Sequence, residues 1–440
     1  MSQIVGKRSN ILGNRKPVVI EGLRTPFVRS FGTFGKIDSL EIFSRVVSGL
    51  IRKLEINDQE IDEISSGVVF SGSRHSNIAR DAVFNLGLSP HITGYTTNRS
   101  CASSLHTIAE AAKAISYGNP ALILSGGVEC IDGQPFGISH EARQFISRIN
   151  QSTTTSEKLL TIKDLSAKPW TTEPPVLTEP FNGLPLTQHL ESMIKGTKIS
   201  RESQDLFALR SHQRALEAQR GGLLDQEIEP VWPSSDPLKC ADFDEIIEAE
   251  LSIEKLKRTE SNFDPQFGTI TPANTAPIAD GAAINLVADE QRALSLGLKP
   301  KAYIRDFIFN GIDPCIDTII GPSLSIPLLL KKNKLKLEDI DLFEIHEGFA
   351  AEVLSCLQNL ESRIFHQKYF NTIEMVSSIP EDKINVNGGS IAIGHPFGAT
   401  GSRLVTALCN ELIRRDKQLG VVAISTAGDM SGAILIERAN

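Results

Sequence analysis

The stretch TNRSCASSLHTIAEAAKAISYGNPALILSGGVECID, which runs from Thr97 to Asp132, decides the fold. After Cys101, apolar side chains recur at the three- and four-residue spacing of a helix that buries one face. These side chains are Leu105, Ile108, Ala109, Ala112 and Ile115. Gly118 supplies a stop for the helix, and ALILSGG beyond it predicts a short buried strand that enters a glycine turn. The stretch therefore predicts a helix and then a strand, with Cys101 where the helix begins.

Cys101 has two interpretations at this position. The unsatisfied backbone N–H groups of a helix N-terminus and the positive end of the helix dipole favour a thiolate over a thiol. A cysteine nucleophile would be placed there. The other interpretation is a small apolar residue that packs a turn, and placement at a helix start does not by itself exclude it.

The composition is that of an ordinary globular chain with two or three domains. The 440 residues are 40% hydrophobic and 22% charged, and the net charge is −8. This acidic balance argues against a general nucleic-acid binder, which needs a basic surface for phosphate contacts. The sequence has no apolar run of about 18 residues, and its polar start lacks the apolar core of a signal peptide. We therefore expect a soluble protein of the cytoplasm.

The cysteines favour a reducing compartment as well. All six are scattered, at positions 101, 130, 240, 315, 356 and 409, and none forms a CxxC pair. This spacing suggests neither a zinc site nor a disulfide framework.

The C-terminal part of the chain repeats the pattern of the first stretch. DLFEIHEGFA predicts a strand that ends in a polar turn at His346, from which a helix starts. Further on, NVNGGSIAIGHPFGATG gives a glycine-rich loop with His395, followed by a helix from about Thr400 to Arg415 and the closing strand GVVAIST. We interpret the two units as an internal duplication in a layered α/β fold, whose helix-start loops converge on one site.

The section from 133 to 268 has a different character. Gln151–Pro185 is rich in Ser, Thr and Pro and has no sustained period, so it predicts a long excursion. Ser200–Gly222 predicts a helix capped at Ser200 with one apolar face. That face comprises Leu206, Leu209, Ala215 and Leu216. The basic residues of this section are either phosphate ligands or a solvated helix face.

Three residues carry a candidate chemistry. Cys101, His346 and His395 all fall at strand-to-helix turns, where layered α/β folds present functional groups. A cysteine with a histidine base is an acyl-transfer device, in which the thiolate attacks a carbonyl and backbone N–H groups stabilise the oxyanion. The glycine-rich loop around His395 offers little apolar core for a structural histidine. The HEG tripeptide indicates that His346 is a hydrogen-bond donor facing a cleft, with a turn-capping histidine as the alternative.

Together these segments resemble the thiolase family over its whole length. The matches are RTPF at 24–27, the Cys101 block with SGGVE at 125–129, SRESQDLFALRSHQRA at 200–215, ADGAA at 279–283, HEGFA at 346–350 and NGGSIAIGHPFGATG at 387–401. No one of them is specific alone, but the set is. HEGFA and the long excursion are most similar to the β subunits of fatty-acid oxidation complexes, because other thiolases usually have Asn at the position of His346.

The resemblance implies a thiolase fold, in which two duplicated βαβαβαββ halves form a five-layered α-β-α-β-α core with an inserted loop domain. The implied parts are 1–132 for the start of the N-terminal core half, 133–268 for the loop and CoA-binding domain, 269–300 for the end of that half, and 301–440 for the C-terminal core half. It also implies a homodimer or tetramer, and an α subunit with hydratase and dehydrogenase activities as a partner.

The activity that the resemblance implies is acyl transfer to CoA. Cys101 would take the acyl group of a 3-oxoacyl-CoA and split off acetyl-CoA, and free CoA would collect the shortened chain. His395 would activate Cys101, and His346 with His395 would hold the thioester oxygen that becomes an enolate. The implied CoA contacts are Arg210, Arg214, Asn274 and Gly398. CoA would be a substrate, and no metal or other cofactor is required.

The closing turn departs from the family. Thiolases have a second cysteine there, in a turn of the type C-x-x-G-G, as the acid or base for the α-carbon of the substrate, and here Ser425 replaces it. An alcohol is a far weaker acid than a thiol of pKa about 8.5, so Ser425 carries protons poorly unless a neighbour activates it. Asp429 replaces a glycine and puts an acid near the oxyanion hole, to which the Ala427 N–H would contribute.

Two functions stay open at this point. The first is an active degradative thiolase in which Ser425 or a water completes the proton transfer. The second is a thiolase-like protein with impaired carbon–carbon chemistry, which acts as an acyl-CoA hydrolase or transferase through Cys101 or as a CoA-binding subunit. A synthase that condenses malonyl units shares the fold, but HEGFA and GHPFGATG favour the thiolase side.

Overall fold

The computed structural model describes residues 15–71, 74–118, 121–131, 137–163, 172–173, 178–179, 181–233, 239–261, 263–314, 319–374 and 376–439. The strands of these residues are β1 (Pro17–Arg24), β2 (Val28–Arg29), β3 (Glu63–Gly67), β4 (Thr93–Thr97), β5 (Leu122–Glu129), β6 (Gly137–Ile138), β7 (Thr172–Glu173), β8 (Ala279–Asp289), β9 (Ala302–Gly311), β10 (Leu342–Ile345), β11 (Leu419–Thr426) and β12 (Met430–Arg438). The helices are α1 (Ser39–Leu54), α2 (Ile78–Asn85), α3 (Ser103–Ser116), α4 (His140–Gln151), α5 (Thr155–Lys163), α6 (Leu186–Ile194), α7 (Arg201–Arg220), α8 (Ile253–Arg258), α9 (Glu290–Ser295), α10 (Gly321–Lys332), α11 (Ala350–Leu360), α12 (Arg363–Phe370), α13 (Ser390–Ile393) and α14 (Thr400–Arg414).

Most strands join one large sheet whose two halves have the same topology. The strand order is β10-β11-β12-β9-β1-β8-β5-β3-β4, with β2 beside β8. In the N-terminal half β1, β8 and β5 are antiparallel neighbours, and β3 runs parallel to β5. In the C-terminal half β9, β12 and β11 are antiparallel neighbours, and β10 runs parallel to β11. The predicted internal duplication is therefore confirmed, and the halves join where β1 pairs with β9.

Three apolar clusters show how the layers stack. One cluster packs α1 and α2 on the outer face of the N-terminal half, and another packs α10 and α11 on the outer face of the C-terminal half. A third lies between the halves and contains the apolar faces of α3 and α14. Because side chains alternate across a strand, Val18 and Val19 of β1 belong to different clusters. The predicted α-β-α-β-α order is confirmed.

The central helices approach so closely that glycine is required. A Cβ on Gly401, in α14, would lie 2.5 Å from the backbone nitrogen of Leu105 in α3. A Cβ on Gly67, at the end of β3, would lie 2.6 Å from the backbone of Ser103. Since a side chain has no room at either position, these glycines let the first turn of α3 pack between β3 and α14. This contact fixes the loop that carries Cys101.

The helix predicted from Ser200 forms, but the predicted apolar face is only partly buried, with Ala215 buried and Leu209 and Leu216 half-buried. Ser200 caps α7, and Leu206 is 51% exposed. The buried face carries Phe207, Ala208 and Ala215 together with polar residues that have hydrogen-bond partners. Asp205 accepts hydrogen bonds from Arg201 and from Asn274, and Ser211 donates to a buried carboxylate further along the chain. The hydrophobic period cannot reveal a face that is buried through polar contacts.

Between β5 and β8, the described residues form α4 to α8 and the separate β6–β7 pair, outside the large sheet. The boundaries predicted after residues 132, 268 and 300 stay predictions.

Of the cysteines, 101, 130, 240, 356 and 409 are free thiols, and Cys315 lies outside the described residues. In the part of the chain that the structure describes, no helix is long and apolar enough to cross a membrane.

Candidate active site

Cys101 lies in a tight turn between β4 and α3. The backbone of Ser100 has a φ of 48°, in the left-handed region that residues other than glycine seldom adopt. The hydroxyl of Ser103 stabilises this turn, since it donates to the carbonyl of Ser100 (2.6 Å) and accepts from the N–H of Arg99 (2.8 Å). The turn brings the Cys101 side chain to the wall of a cavity, where only 7% of it is exposed.

His395 reaches Cys101 from the other half of the molecule. Its Nε2 lies 3.2 Å from the Cys101 sulfur, and its Nδ1 lies 2.7 Å from the hydroxyl of Thr400. When Nδ1 donates its hydrogen to Thr400, Nε2 is left to accept the thiol proton. Gly394 makes this placement possible, because its φ is 106° and a Cβ would lie 2.6 Å from the side chain of Ile246.

His346 faces the same cavity from the end of β10. Its ring centroid lies 4.3 Å from that of His395, and its Nδ1 lies 3.1 Å from the hydroxyl of Ser390. Arg403 donates to the same hydroxyl oxygen at 2.9 Å, which leaves the Ser390 hydrogen free to be donated to His346. The Nε2 of His346 then carries a hydrogen, so His346 is a hydrogen-bond donor toward the cavity.

These three groups form one compact cluster. A sulfur or nitrogen atom from each of Cys101, His346 and His395 lies within 4.8 Å of the others. The structure thus brings together the residues that the sequence placed at strand-to-helix turns of both halves.

Burial makes the resting site neutral. It raises the pKa of Cys101 to about 12 and lowers the pKa of His395 to about 3, with the nearby Arg403 charge contributing to the second shift. Burial also holds the pKa of His346 well below its usual value. The thiolate predicted from the helix start is therefore wrong, because desolvation outweighs the helix terminus. In this neutral state the sulfur of Cys101 keeps its proton, with Nε2 of His395 as the nearest imidazole nitrogen.

Two backbone groups face the sulfur. The N–H groups of Ala427 and of Cys101 itself form hydrogen bonds to it that favour the thiolate, although less strongly than burial opposes it. Donors in this arrangement stabilise the negative oxygen that forms when a thiolate adds to a carbonyl. Ala427 follows β11, so the closing turn of the C-terminal half completes a site that begins in the N-terminal half.

Ser425, at the end of β11, has an acidic neighbour. Its hydroxyl donates to Oε1 of Glu352 at 3.3 Å, and both residues line the cavity. Asp429 lines it too, with a backbone φ of 50°. The pKa of Glu352 is raised to about 7, mainly by burial and in part by the charge of Asp429, although the Ser425 hydrogen bond acts in the opposite direction.

Sequence reasoning did not find Glu352. The residue is in the first turn of α11, where acids are common because they complement the helix dipole, so its position alone carried no signal. The replacement of a cysteine by Ser425 was the one feature of the sequence that pointed to such a residue. Serine is a weak acid, so a proton-transfer site that contains it needs a stronger acid nearby.

The cavity around these groups has a volume of about 320 Å³. Apart from the polar groups described above, its wall is mostly apolar. The apolar lining residues include Phe70, Ile131, Leu186, Leu190, Ile278, Phe349 and Phe397. A wall of this kind suits an alkyl chain, with the reacting carbonyl held at the polar end.

The predicted CoA contacts lie elsewhere. Arg210 forms an ion pair with Glu381, and Arg214 donates to the carbonyl of Ile384 at 2.6 Å, so both connect α7 to the segment before α13. The fully buried amide of Asn274 donates to Asp205 and to the carbonyl of Thr269. Gly398 donates its N–H to the buried Glu129 at 3.2 Å. None of the four lines the cavity, and their contacts with CoA stay predictions.

Family models cover both halves of this architecture. The model of the thiolase N-terminal domain matches residues 17–291, and that of the thiolase C-terminal domain matches residues 298–438. The chain belongs to the thiolase family. A 3-ketoacyl-CoA thiolase of Shewanella woodyi is 35% identical to this thiolase over 430 residues, which is 98% of each chain. The protein of the same name from Citrobacter koseri is 34% identical over 421 residues, covering 95% of this chain and 96% of its own.

Solved structures of thiolases agree with this fold. The acetyl-CoA acetyltransferase of Bacillus anthracis superposes with a TM-score of 0.83 at 28% identity, covering 97% of this thiolase and 100% of that chain. Human mitochondrial 3-ketoacyl-CoA thiolase in complex with CoA gives a TM-score of 0.81 at 26% identity, covering 97% and 98%.

Proposed function

We propose that this thiolase cleaves a 3-oxoacyl-CoA with CoA, giving acetyl-CoA and an acyl-CoA shorter by two carbons. The observation that carries the proposal is the 3.2 Å approach of the His395 Nε2 to the Cys101 sulfur, in a buried cavity that His346 also faces. The 3-ketoacyl-CoA thiolases that resemble the chain over nearly its whole length support the same reaction.

The first half of the reaction transfers the acyl group to Cys101. His395 takes the thiol proton while the sulfur attacks C3 of the substrate, and the Cys101 and Ala427 N–H groups stabilise the alkoxide. The C2–C3 bond then breaks, and its electron pair forms the enolate of acetyl-CoA. The Nε2 hydrogen of His346 stabilises the enolate oxygen.

The second half returns the acyl group to CoA. The thiol of CoA loses its proton and attacks the Cys101 thioester, and the Cys101 thiolate leaves and recovers its proton from His395. The proton that CoA loses balances the one that C2 of the enolate gains. The roles assigned here use side chains and backbone groups of the protein, and we propose that CoA acts as a substrate and that neither a metal nor a cofactor takes part.

The apolar cavity wall favours alkyl chains, which places the enzyme in fatty-acid β-oxidation in our proposal. We further propose that it acts in the cytoplasm as a homodimer or tetramer, with a hydratase–dehydrogenase α subunit as partner, and that residues 133–268 contribute to CoA binding. Size-exclusion chromatography with light scattering, with and without the α subunit, tests the assembly.

The activity is tested with acetoacetyl-CoA and 3-oxohexadecanoyl-CoA as substrates. We expect the wild-type enzyme to consume the 3-oxoacyl-CoA absorbance when CoA is added, and Cys101→Ala to abolish this. No cleavage by the wild type, together with cleavage by Ser425→Cys, would support the alternative of a thiolase-like protein that has lost its carbon–carbon chemistry.

A further inference from the structure

The proton that C2 of the substrate must receive has no evident source among the groups assigned so far. When the C2–C3 bond breaks, C2 keeps the electron pair and needs a proton to become the methyl group of acetyl-CoA. His395 holds the proton of Cys101 and needs it later for the departing thiolate. Ser425 is too weak an acid to supply a proton by itself.

Glu352 is placed to supply it. Its carboxyl group lines the cavity beside Cys101, His346 and Ser425. Ser425 donates to Oε1, and the backbone N–H of Phe349 also donates to the carboxylate, so that hydrogen bonds on two sides orient the carboxyl group. Gly348 has no side chain, and the position that its Cβ would occupy lies close to both groups. It is 2.9 Å from Oε2 of Glu352 and 3.4 Å from Nε2 of His346. The proton carrier and the donor for the enolate oxygen therefore face the same space.

This placement matches the geometry of the substrate. In a 3-oxoacyl-CoA, C2 is bonded both to C3, which Cys101 attacks, and to the thioester carbon, whose oxygen His346 would hold. An acid that transfers a proton to C2 must therefore lie between the nucleophile and the enolate donor. Glu352 lines the same cavity as both groups, and its charge acts on the Cys101 thiol.

We propose that Glu352 is the catalytic acid and base for the α-carbon and that Ser425 is its positioning residue. The proposal rests on the thiolase activity proposed above. On cleavage, the carboxyl O–H bond of Glu352 breaks and a C2–H bond forms, which leaves the carboxylate. When CoA enters, this carboxylate takes the thiol proton, and the CoA thiolate attacks the acyl-cysteine. Both Glu352 and the Cys101–His395 pair then return to their starting protonation states.

The titration of Glu352 suits both directions of transfer. Burial raises its pKa to about 7, so that acid and carboxylate are both well populated near neutral pH. The charged and titratable groups that line the same cavity come from five segments. They are Asp429 in the β11–β12 turn, Glu179 before α6, His346 at the end of β10, His395 in the loop before α14 and Cys101 in the turn before α3.

The test separates α-carbon chemistry from acyl transfer, with acetyl-CoA as the probe. Deuterium uptake into its methyl group in D2O reports the α-carbon step, and acetyl transfer from acetyl-CoA to Cys101, followed as the acetyl-enzyme by mass spectrometry, reports the Cys101 step without any deprotonation of a CoA thiol. We expect Glu352→Gln to lose deuterium uptake by about 100-fold or more while acetyl transfer stays within about threefold. Glu361→Gln, which changes an exposed glutamate at the end of the same helix, is the matched control and keeps both reactions.

Deuterium uptake by the wild type should also rise with pH and level off above about 7, because enolate formation needs the carboxylate. Deuterium uptake that stays within threefold of wild type in Glu352→Gln overturns the proposal. If Glu352→Gln loses both reactions, Glu352→Gln/Ser425→Cys decides: return of uptake with the cysteine supports an acid–base role, and continued absence overturns it. A wild type without acetyl transfer would instead contradict the proposed function.

Discussion

At the scale of the residue, the nucleophile and its base are both uncharged before substrate binds. The pKa of Cys101 is raised to about 12 by burial, and that of His395 is lowered to about 3, so charge separation between them is costly in the empty site. A bound acyl group lowers the cost of this charge separation, because the sulfur bonds to the carbonyl carbon while its proton moves to His395. Reactivity is thus reserved for a bound carbonyl rather than for oxidants or other electrophiles.

The pH dependence of Cys101 alkylation tests this neutral resting state. The thiolate is the reacting form, and a thiol whose pKa is raised gains thiolate throughout the range below that pKa. We therefore expect the rate of modification by iodoacetamide to rise by roughly tenfold per pH unit between pH 7 and 10, without a plateau. Peptide mass spectrometry follows the reaction, and Cys101→Ala confirms the assignment. A plateau below pH 7 would contradict the neutral site and restore the thiolate expected from the helix start.

At the scale of the element, the loop before α14 holds His395 only because Gly394 has no side chain. Its φ of 106° is open to glycine, and a Cβ would lie 2.6 Å from Ile246 and 3.0 Å from Ala279. The loop is therefore fixed both by its backbone conformation and by the residues packed against it.

We expect Gly394→Ala to lower kcat by at least about 100-fold, because displacement of the loop by about 1 Å removes His395 from hydrogen-bond distance of the sulfur. Gly297→Ala is the control, since Gly297 also has a positive φ of 73° but has no atom within 4 Å of the added Cβ. It should cost about 1 kcal/mol of stability and leave activity intact. Comparable activity of the two variants in steady-state assays would show that crowding at Gly394 is unimportant.

At the scale of the whole molecule, the section outside the sheet is attached to the core through a buried charge. Arg24 at the end of β1 forms a two-bond contact with Asp244, at 2.7 Å for each bond, and donates to Glu227 at 2.8 Å. Asp244 also accepts from the N–H of Phe27. The RTPF motif thus joins two carboxylates from the section between β5 and β8 to the first strand.

Removal of Arg24 should leave both carboxylates buried without their cation. We expect Arg24→Met to reduce the free energy of unfolding by about 3–5 kcal/mol, as measured by urea denaturation. Arg52→Met is the matched control, because Arg52 pairs with Glu229 of the same section but its side chain is 67% exposed. It should change stability by about 1 kcal/mol or less. Equal effects of the two substitutions would contradict an anchoring role for Arg24.

Local patterns in the sequence determined much of the architecture. Helical spacing after Cys101 and around HEGFA predicted α3 and α11, because a helix that buries one face repeats its apolar residues at a fixed period. The repeated loop, helix and strand pattern predicted two halves with one topology. The positions of Cys101, His346 and His395 at strand-to-helix turns predicted that they meet, since equivalent loops of a layered fold open toward the same edge.

Only the tertiary structure decided the properties that depend on contacts between distant segments. Burial by both halves sets the protonation of Cys101, whereas the helix start alone suggested the opposite state. The buried face of α7 follows polar partners such as Glu347 for Ser211, which no periodic pattern contains. Glu352 was identified as a candidate only through its hydrogen bond with Ser425, which lies 73 residues away along the chain. The physical reason is that hydrophobic periodicity records which face is apolar, whereas desolvation and hydrogen-bond partners exist only once the chain has packed.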